Sequence, residues 1–314
     1  ATFTPTGSGV TTIKVNAGAF TDAVGNTSEV SNTITWTYDN TAPTVSEVIV
    51  SGGDDNYKAT EVVTIQVSFS ETVVVTGSAP TLALSTGANA TYDSGSNSDT
   101  LTFLYTVEAG ENSADLDYAA TTSLSGTIKD SYGNDATLTL ASPGAENSIS
   151  DNDAVVIDTT VPVITLVGSS TVTHQALGAY TDAGASVSDN LDSNVTNSLA
   201  VQSNVNANVI GSYSVVYSAT DASGNAAVAV TRTVNVVDTT IPVITRSGDA
   251  TVTHEAATAY NDDGATAADA YDGNITDNIV TVNNVDANST LGAYTVTYNV
   301  DDASGNSAVQ VTRT

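Results

Sequence analysis

Oxygen donors dominate the side chains of this chain that could do chemistry. Its 314 residues include 35 Asp and Glu, six Lys and Arg, two His and no Cys. The acids recur in an ordered pattern. Asp158 is followed by Asp189, Asp192 and Asn194 in a DNLDSN stretch, then by Asp221 and Asn225 in DASGN. The same order returns 80 or 81 residues later with Asp238, then Asp269, Asp272 and Asn274, then Asp302 and Asn306. A looser earlier set consists of Asp39, Asn40, Glu71, Asp130 and Asn134. Carboxylates, amides and carbonyls gathered in sixes or sevens are what Ca²⁺ takes. Several carboxylates at one place repel each other unless a cation lies between them. No complete DxDxDG-type loop occurs, and DxxGN is equally a plain hairpin turn in which Asp bonds backbone and Gly supplies positive φ.

Other chemistry is poorly served. A general base near neutral pKa is usually His, and His174 and His254 occupy the same place in a repeat, as a structural residue would. No nucleophile elbow and no phosphate-cradling Gly loop ahead of a helix is present, so the chain reads as non-catalytic. A formal net charge of −29 repels nucleic-acid phosphate and anionic headgroups, which need clustered Lys and Arg. No apolar run reaches the roughly 18 to 20 residues of a membrane helix. With no Cys, disulfides and thiolate metal sites are excluded.

The elements that must position these acids are strands. VVTIQVSFS, TLTFLYTV, YSVVYSAT and YTVTYNV alternate with period two between Gly, Asn, Asp and Ser, and no window sustains a helical stripe. Of the acids, 27 are Asp and eight Glu, a turn-forming balance unlike that of a disordered acidic tail. The expected fold is all-β: tandem Ig-like antiparallel sandwiches in an elongated array, with turn signals every 8 to 12 residues.

Internal repeats set the domain expectation. DTTVPVIT at 158–165 returns as DTTIPVIT at 238–245, and TVTH, AY, DASGN and VTRT follow each in the same order. The reading is residues 1–40 as the C-terminal part of a module, 41–157 as a longer cousin ending in DSYGN, 158–237 as one module, and 238–314 as its near-copy lacking a final strand. Such an array reads as an excerpt from a longer one. In the linkers, Pro162 and Pro242 restrict themselves and the residue before them.

PVITLVGSSTVTHQALGAYTDAGASVSDN and YSVVYSATDASGNAAVAVTRTVNVVD, with their second copies, resemble the bacterial Ig-like domains found in tandem in surface proteins. VTIQVSFSETVVVTGSAPTLAL and GTIKDSYGN resemble another bacterial Ig-like repeat, of giant repetitive adhesins. This resemblance implies an extracellular or cell-surface location and calcium at domain junctions, and it leaves function open, because such modules extend, bind ligands or accompany enzymes. The geometry of an Ig-like sandwich brings the entering linker, the loop between the second and third strands and the loop between the last two strands to one pole. The expectation is therefore a secreted surface-adhesin extender, stiffened by Ca²⁺ and contacting its neighbouring modules. A filament or surface-layer subunit joined to other copies by strand addition, and a carbohydrate-binding or enzyme-accessory module, stand as alternatives. Neither nucleic acid nor membrane insertion is expected.

Overall fold

A computed structural model of the chain describes residues 4–285 and 289–314. Residues 1–3, at the start of the first expected module, and 286–288, within the last, lie outside it. The described residues are nearly all strand and turn. Two compact units result: one comprises Ala1–Pro162 with Ser188–Val195 and Thr220–Ala226, the other Val163–Val187, Thr196–Ala219 and Ala227–Thr314.

In the first unit, Gly9–Ile13 pairs antiparallel with Ile34–Tyr38, Gly9 opposite Tyr38. A larger sandwich follows. The long strand Val62–Val75 lies between Ser98–Thr106 on one side and Val45–Val50 with Ile128–Lys129 on the other. The alternation of VVTIQVSF sends Val63, Ile65, Val67 and Phe69 inward. They lie beside Leu101, Phe103 and Tyr105 of the neighbouring strand, and the smaller sheet Asp55–Tyr57, Val155–Asp158, Asn112–Ser113 closes the core with Val155 and Ile157. β-Branched and aromatic residues suit this pleated, one-sided burial.

In the second unit, Thr171–Gln175, Val230–Val237, Gly211–Ser218 and Ala200–Ser203 form one sheet, while Val163–Leu166 pairs with Ala185–Ser188. Val215, Tyr217, Val234 and Val236 are buried. The next repeat packs Ile244, Ala267 and Ile275 from Val243–Arg246 and its neighbours against Val296, Tyr298 and Val300. Thr171–Gln175 runs parallel to the end of Val230–Val237, with Gln175 opposite Val237. Residues 253–255 of the later copy belong to no strand, and a cleft of about 360 Å³ opens there, lined by His254, Tyr260, Leu291 and Tyr294. Among the described residues, no helix is long and apolar enough to cross a membrane.

Candidate metal centres

Each DxxGN segment folds as one turn, and the turn is built by its own Asp. Asp221 Oδ1 accepts the backbone N–H of Asn225, Gly224 takes a positive φ of 84°, and the Asp221 N–H donates to the Asn225 carbonyl. Asp130 and Asp302 do the same with Asn134 and Asn306. The Asn side chain then reaches out of the turn. Asn134 Nδ2 donates to the Asp39 carbonyl at 3.1 Å, Asn225 Nδ2 to the Asp158 carbonyl at 2.9 Å, and Asn306 Nδ2 to the Asp238 carbonyl at 3.1 Å. Its second hydrogen bond is to the carboxylate of its own turn, Asp130, Asp221 or Asp302. Each amide thus fastens a linker backbone to a turn.

With the linkers held there, three carboxylate clusters form. Asp39, Glu71 and Asp130 present oxygens within 4.8 Å of one another, as do Asp158, Asp189 and Asp221, and as do Asp238, Asp269, Asp272 and Asp302. Each cluster lies within one compact unit. Glu71 reaches its place through an irregularity in Val62–Val75, where the pairing with Ser98–Thr106 slips between Ser68 and Val73. Asp189 and Asp269 are oriented by their own loops: Asp189 Oδ2 accepts the Leu191 and Asp192 N–H groups, and Asp269 Oδ1 those of Tyr271 and Asp272.

Not every sequence candidate joins these clusters through an acid group. Asp192 holds the Ala222 N–H at 3.0 Å and stays outside the cluster of Asp158. Its counterpart Asp272, holding the Ala303 N–H at 2.8 Å, is drawn in. Asn274 Oδ1 accepts from Thr276, Asn194 receives the Asp192 carboxylate on its backbone N–H, and Asn40 Oδ1 accepts the Ser8 hydroxyl at 2.8 Å.

The clusters are electrostatically unlike. Burial pushes the Asp158 carboxyl up, and the neighbouring Asp189 and Asp221 add to it. Glu71 is raised by burial and then by Asp39 and Asp130. Asp39 is lowered by the Thr41 N–H and the Ser8 hydroxyl. Burial opposes ionisation of Asp130, yet the Asn134 amide outweighs it and the group lies below the ordinary value. Asp238 is lowered by the Thr240 hydroxyl. Three carboxylate oxygens, Asp189 Oδ1, Asp238 Oδ2 and Asp269 Oδ2, are buried with no hydrogen-bond partner. An uncompensated buried acceptor costs about 1 to 3 kcal/mol, more when charged. A divalent cation would relieve it, and an all-oxygen donor set fits Ca²⁺.

Residues 164–236 and 244–314 match the family described as bacterial surface protein, Ig-like domain. Both repeats are similar to bacterial surface Ig-like domains. This agrees with the all-β sandwich and with a structural role at the cell surface or outside the cell. No curated protein matches the chain.

In these Ig-like domains a second polar cluster, unmarked in the sequence reading, sits inside the sandwich. Arg232, 1% exposed, donates to the Asp182 carboxylate, the Tyr217 hydroxyl and the carbonyls of Ser169, Val167 and Gly184. Arg313 repeats this with Asp262, Asp249 and Ser247, and Tyr298 donates to Asp262. The signal was the Arg shared by both VTRT segments: two of only six cations hold equivalent places. The histidines also serve the fold. His174 and His254 lie edge-on to Tyr180 and Tyr260 at 5.3 Å, with Nε2 bonded to Gly178 in one copy and to Thr258 in the other.

Proposed function

We propose that this chain is a non-catalytic extender segment of a secreted bacterial surface adhesin, in which Ca²⁺ binds the linker acids Asp39, Asp158 and Asp238 and ties each linker to the loops of the module it enters. The observation that carries the reading is the pair Asp238 and Asp269. Both are more than nine-tenths buried, and each directs an oxygen without a partner into a cluster of four carboxylates.

A cation bridging a linker acid to two loops of the following module replaces a soft hinge by a cross-link. It also binds the folded state alone, because the ligands are scattered over more than 60 residues. At a free concentration 100 times the dissociation constant, one such site stabilises the fold by about 2.7 kcal/mol. The histidines support the non-catalytic part of the reading, since both rings are engaged in packing and in local hydrogen bonds.

Scanning calorimetry with Ca²⁺ and with EDTA tests this. The expected result is a melting temperature several degrees higher with Ca²⁺ and slower proteolysis within 158–162 and 238–242. Superimposable scans would refute the calcium role.

A further inference from the structure

We propose that the three clusters form a graded set, the Asp238 cluster taking Ca²⁺ at a lower free concentration than the clusters of Asp158 and Asp39. This rests on the calcium reading above and adds an order of filling to it.

Two features set the Asp238 cluster apart from both others, and a third, which accounts for the first, sets it apart from the Asp158 cluster. The first is charge count: four carboxylates converge at Asp238, Asp269, Asp272 and Asp302, and three at each of the others. Ligand charge and site rigidity are what tune Ca²⁺ affinity in oxygen sites. The second is the number of buried oxygens lacking a partner, two at the Asp238 cluster and one at the Asp158 cluster, with none recorded for Asp39, Glu71 or Asp130. Such oxygens have already lost water and form no competing hydrogen bond, so the cation does not displace anything to reach them. Asp39 Oδ1 is engaged by the Ser8 hydroxyl and the Thr41 N–H, and Asp238 Oδ1 likewise by Gln175 and Thr240, so the difference lies in the second oxygen, which at Asp238 is buried without a partner.

The third feature is loop rigidity, and it traces to one residue. In the later repeat Ala265–Asp269 folds back on Gly273–Asn274, with Asp269 opposite Gly273 and Ala268 opposite Asn274. Gly273 supplies the positive φ of 70° that this reversal needs. The equivalent position in the earlier repeat is Ser193, and Ala185–Ser188 ends before Asp189. The ladder therefore holds Asp269 and closes the loop that carries Asp272 into the cluster. At the earlier site Asp192 stays outside.

One buried acceptor relieved corresponds to roughly fivefold to 150-fold in affinity. The whole chain, freed of metal with chelator, would be titrated with Ca²⁺ by calorimetry. The tightest step is expected about tenfold or more below the next in concentration. It should vanish in Asp269→Asn and in Asp272→Asn, and survive in Asp189→Asn and Glu71→Gln. Circular dichroism of each variant separates lost binding from lost folding, and Asp272, being partly exposed, gives the less disruptive substitution. Gly273→Ser should weaken the tightest step and leave the others in place. Because Tyr271 immediately precedes Asp272 and donates its backbone N–H to Asp269, terbium in place of Ca²⁺ should show tyrosine-sensitised emission in the first step, lost in Tyr271→Phe. Equal affinities at all sites, or loss of the tightest step in Asp189→Asn or Glu71→Gln, would overturn the order while leaving the calcium reading intact. A flat titration of the unmodified chain would overturn both.

Discussion

The side-chain amide of Asn225 donates to the backbone carbonyl of Asp158, 67 residues earlier, at 2.9 Å. The same amide donates to Asp221 Oδ2 at 2.9 Å, so one side chain joins the linker to the turn between the last two strands. Asn306 does so between Asp238 and Asp302, and Asn134 between Asp39 and Asp130. The tether is made by protein atoms alone, and it holds the linker against the turn whose carboxylate an ion would bridge.

Removing this tether should be felt with and without metal. Asn225→Ala leaves the Asp158 carbonyl and the Asp221 carboxylate each short of one donor. The expected loss is about 1 to 3 kcal/mol of stability, read by urea denaturation in EDTA. Asn306→Ala should behave alike.

Neutralising a cluster acid should have opposite signs in the two conditions. In EDTA, Asp269→Asn removes a buried carboxylate whose Oδ2 has no partner and whose neighbours are like-charged, and stability should rise by about 1 kcal/mol. With saturating Ca²⁺ the same variant should melt below the parent chain. Destabilisation in both conditions would mean that the carboxylate serves the fold alone.

The fold of its module depends on the buried Arg232. Arg232→Met strips the Asp182 carboxylate and three carbonyls of their donor, and breaking a buried pair in this way costs about 3 to 5 kcal/mol. The double variant Arg232→Met with Asp182→Asn should recover part of that loss, because no uncompensated charge remains. Chemical denaturation of the single and double variants measures the coupling.

Acid should weaken the same cluster. Burial alone would raise Asp182, yet the Tyr217 hydroxyl, Arg232 and the Gly184 N–H outweigh it and hold the carboxyl down at about 2, against 3.8 for the ordinary group. A carboxyl with a depressed folded-state value contributes its stability above the unfolded value. That contribution, about 2 kcal/mol, is fully present above pH 3.8 and fades as pH falls toward 2. The stability difference between the parent chain and Asp182→Asn should therefore shrink across that window. At the alkaline end the sign reverses: Tyr217, pushed up to about 12 mainly by burial, contributes below pH 10, and that part is lost as pH rises through 12.

Much of this protein is legible in the residues alone. The period-two runs define strands because a pleated backbone sends alternate side chains to opposite faces, and Val63, Ile65 and Val67 are buried accordingly. The Asp and Gly of DxxGN define turns because their bonds lie within five residues. The repeat offset pairs the acids of one module with those of the next, and strand order in an Ig-like sandwich assigns them to one pole. What separates Asp272 from Asp192, an amide tether from a ligand, and a core Arg from a surface Arg was decided only in three dimensions. Those distinctions depend on partners 30 to 70 residues away and on fractions of a turn in loop geometry. The −29 net charge states only the excess of acids over cations; burial and backbone donors determine which carboxylate oxygens are left without a hydrogen-bond partner.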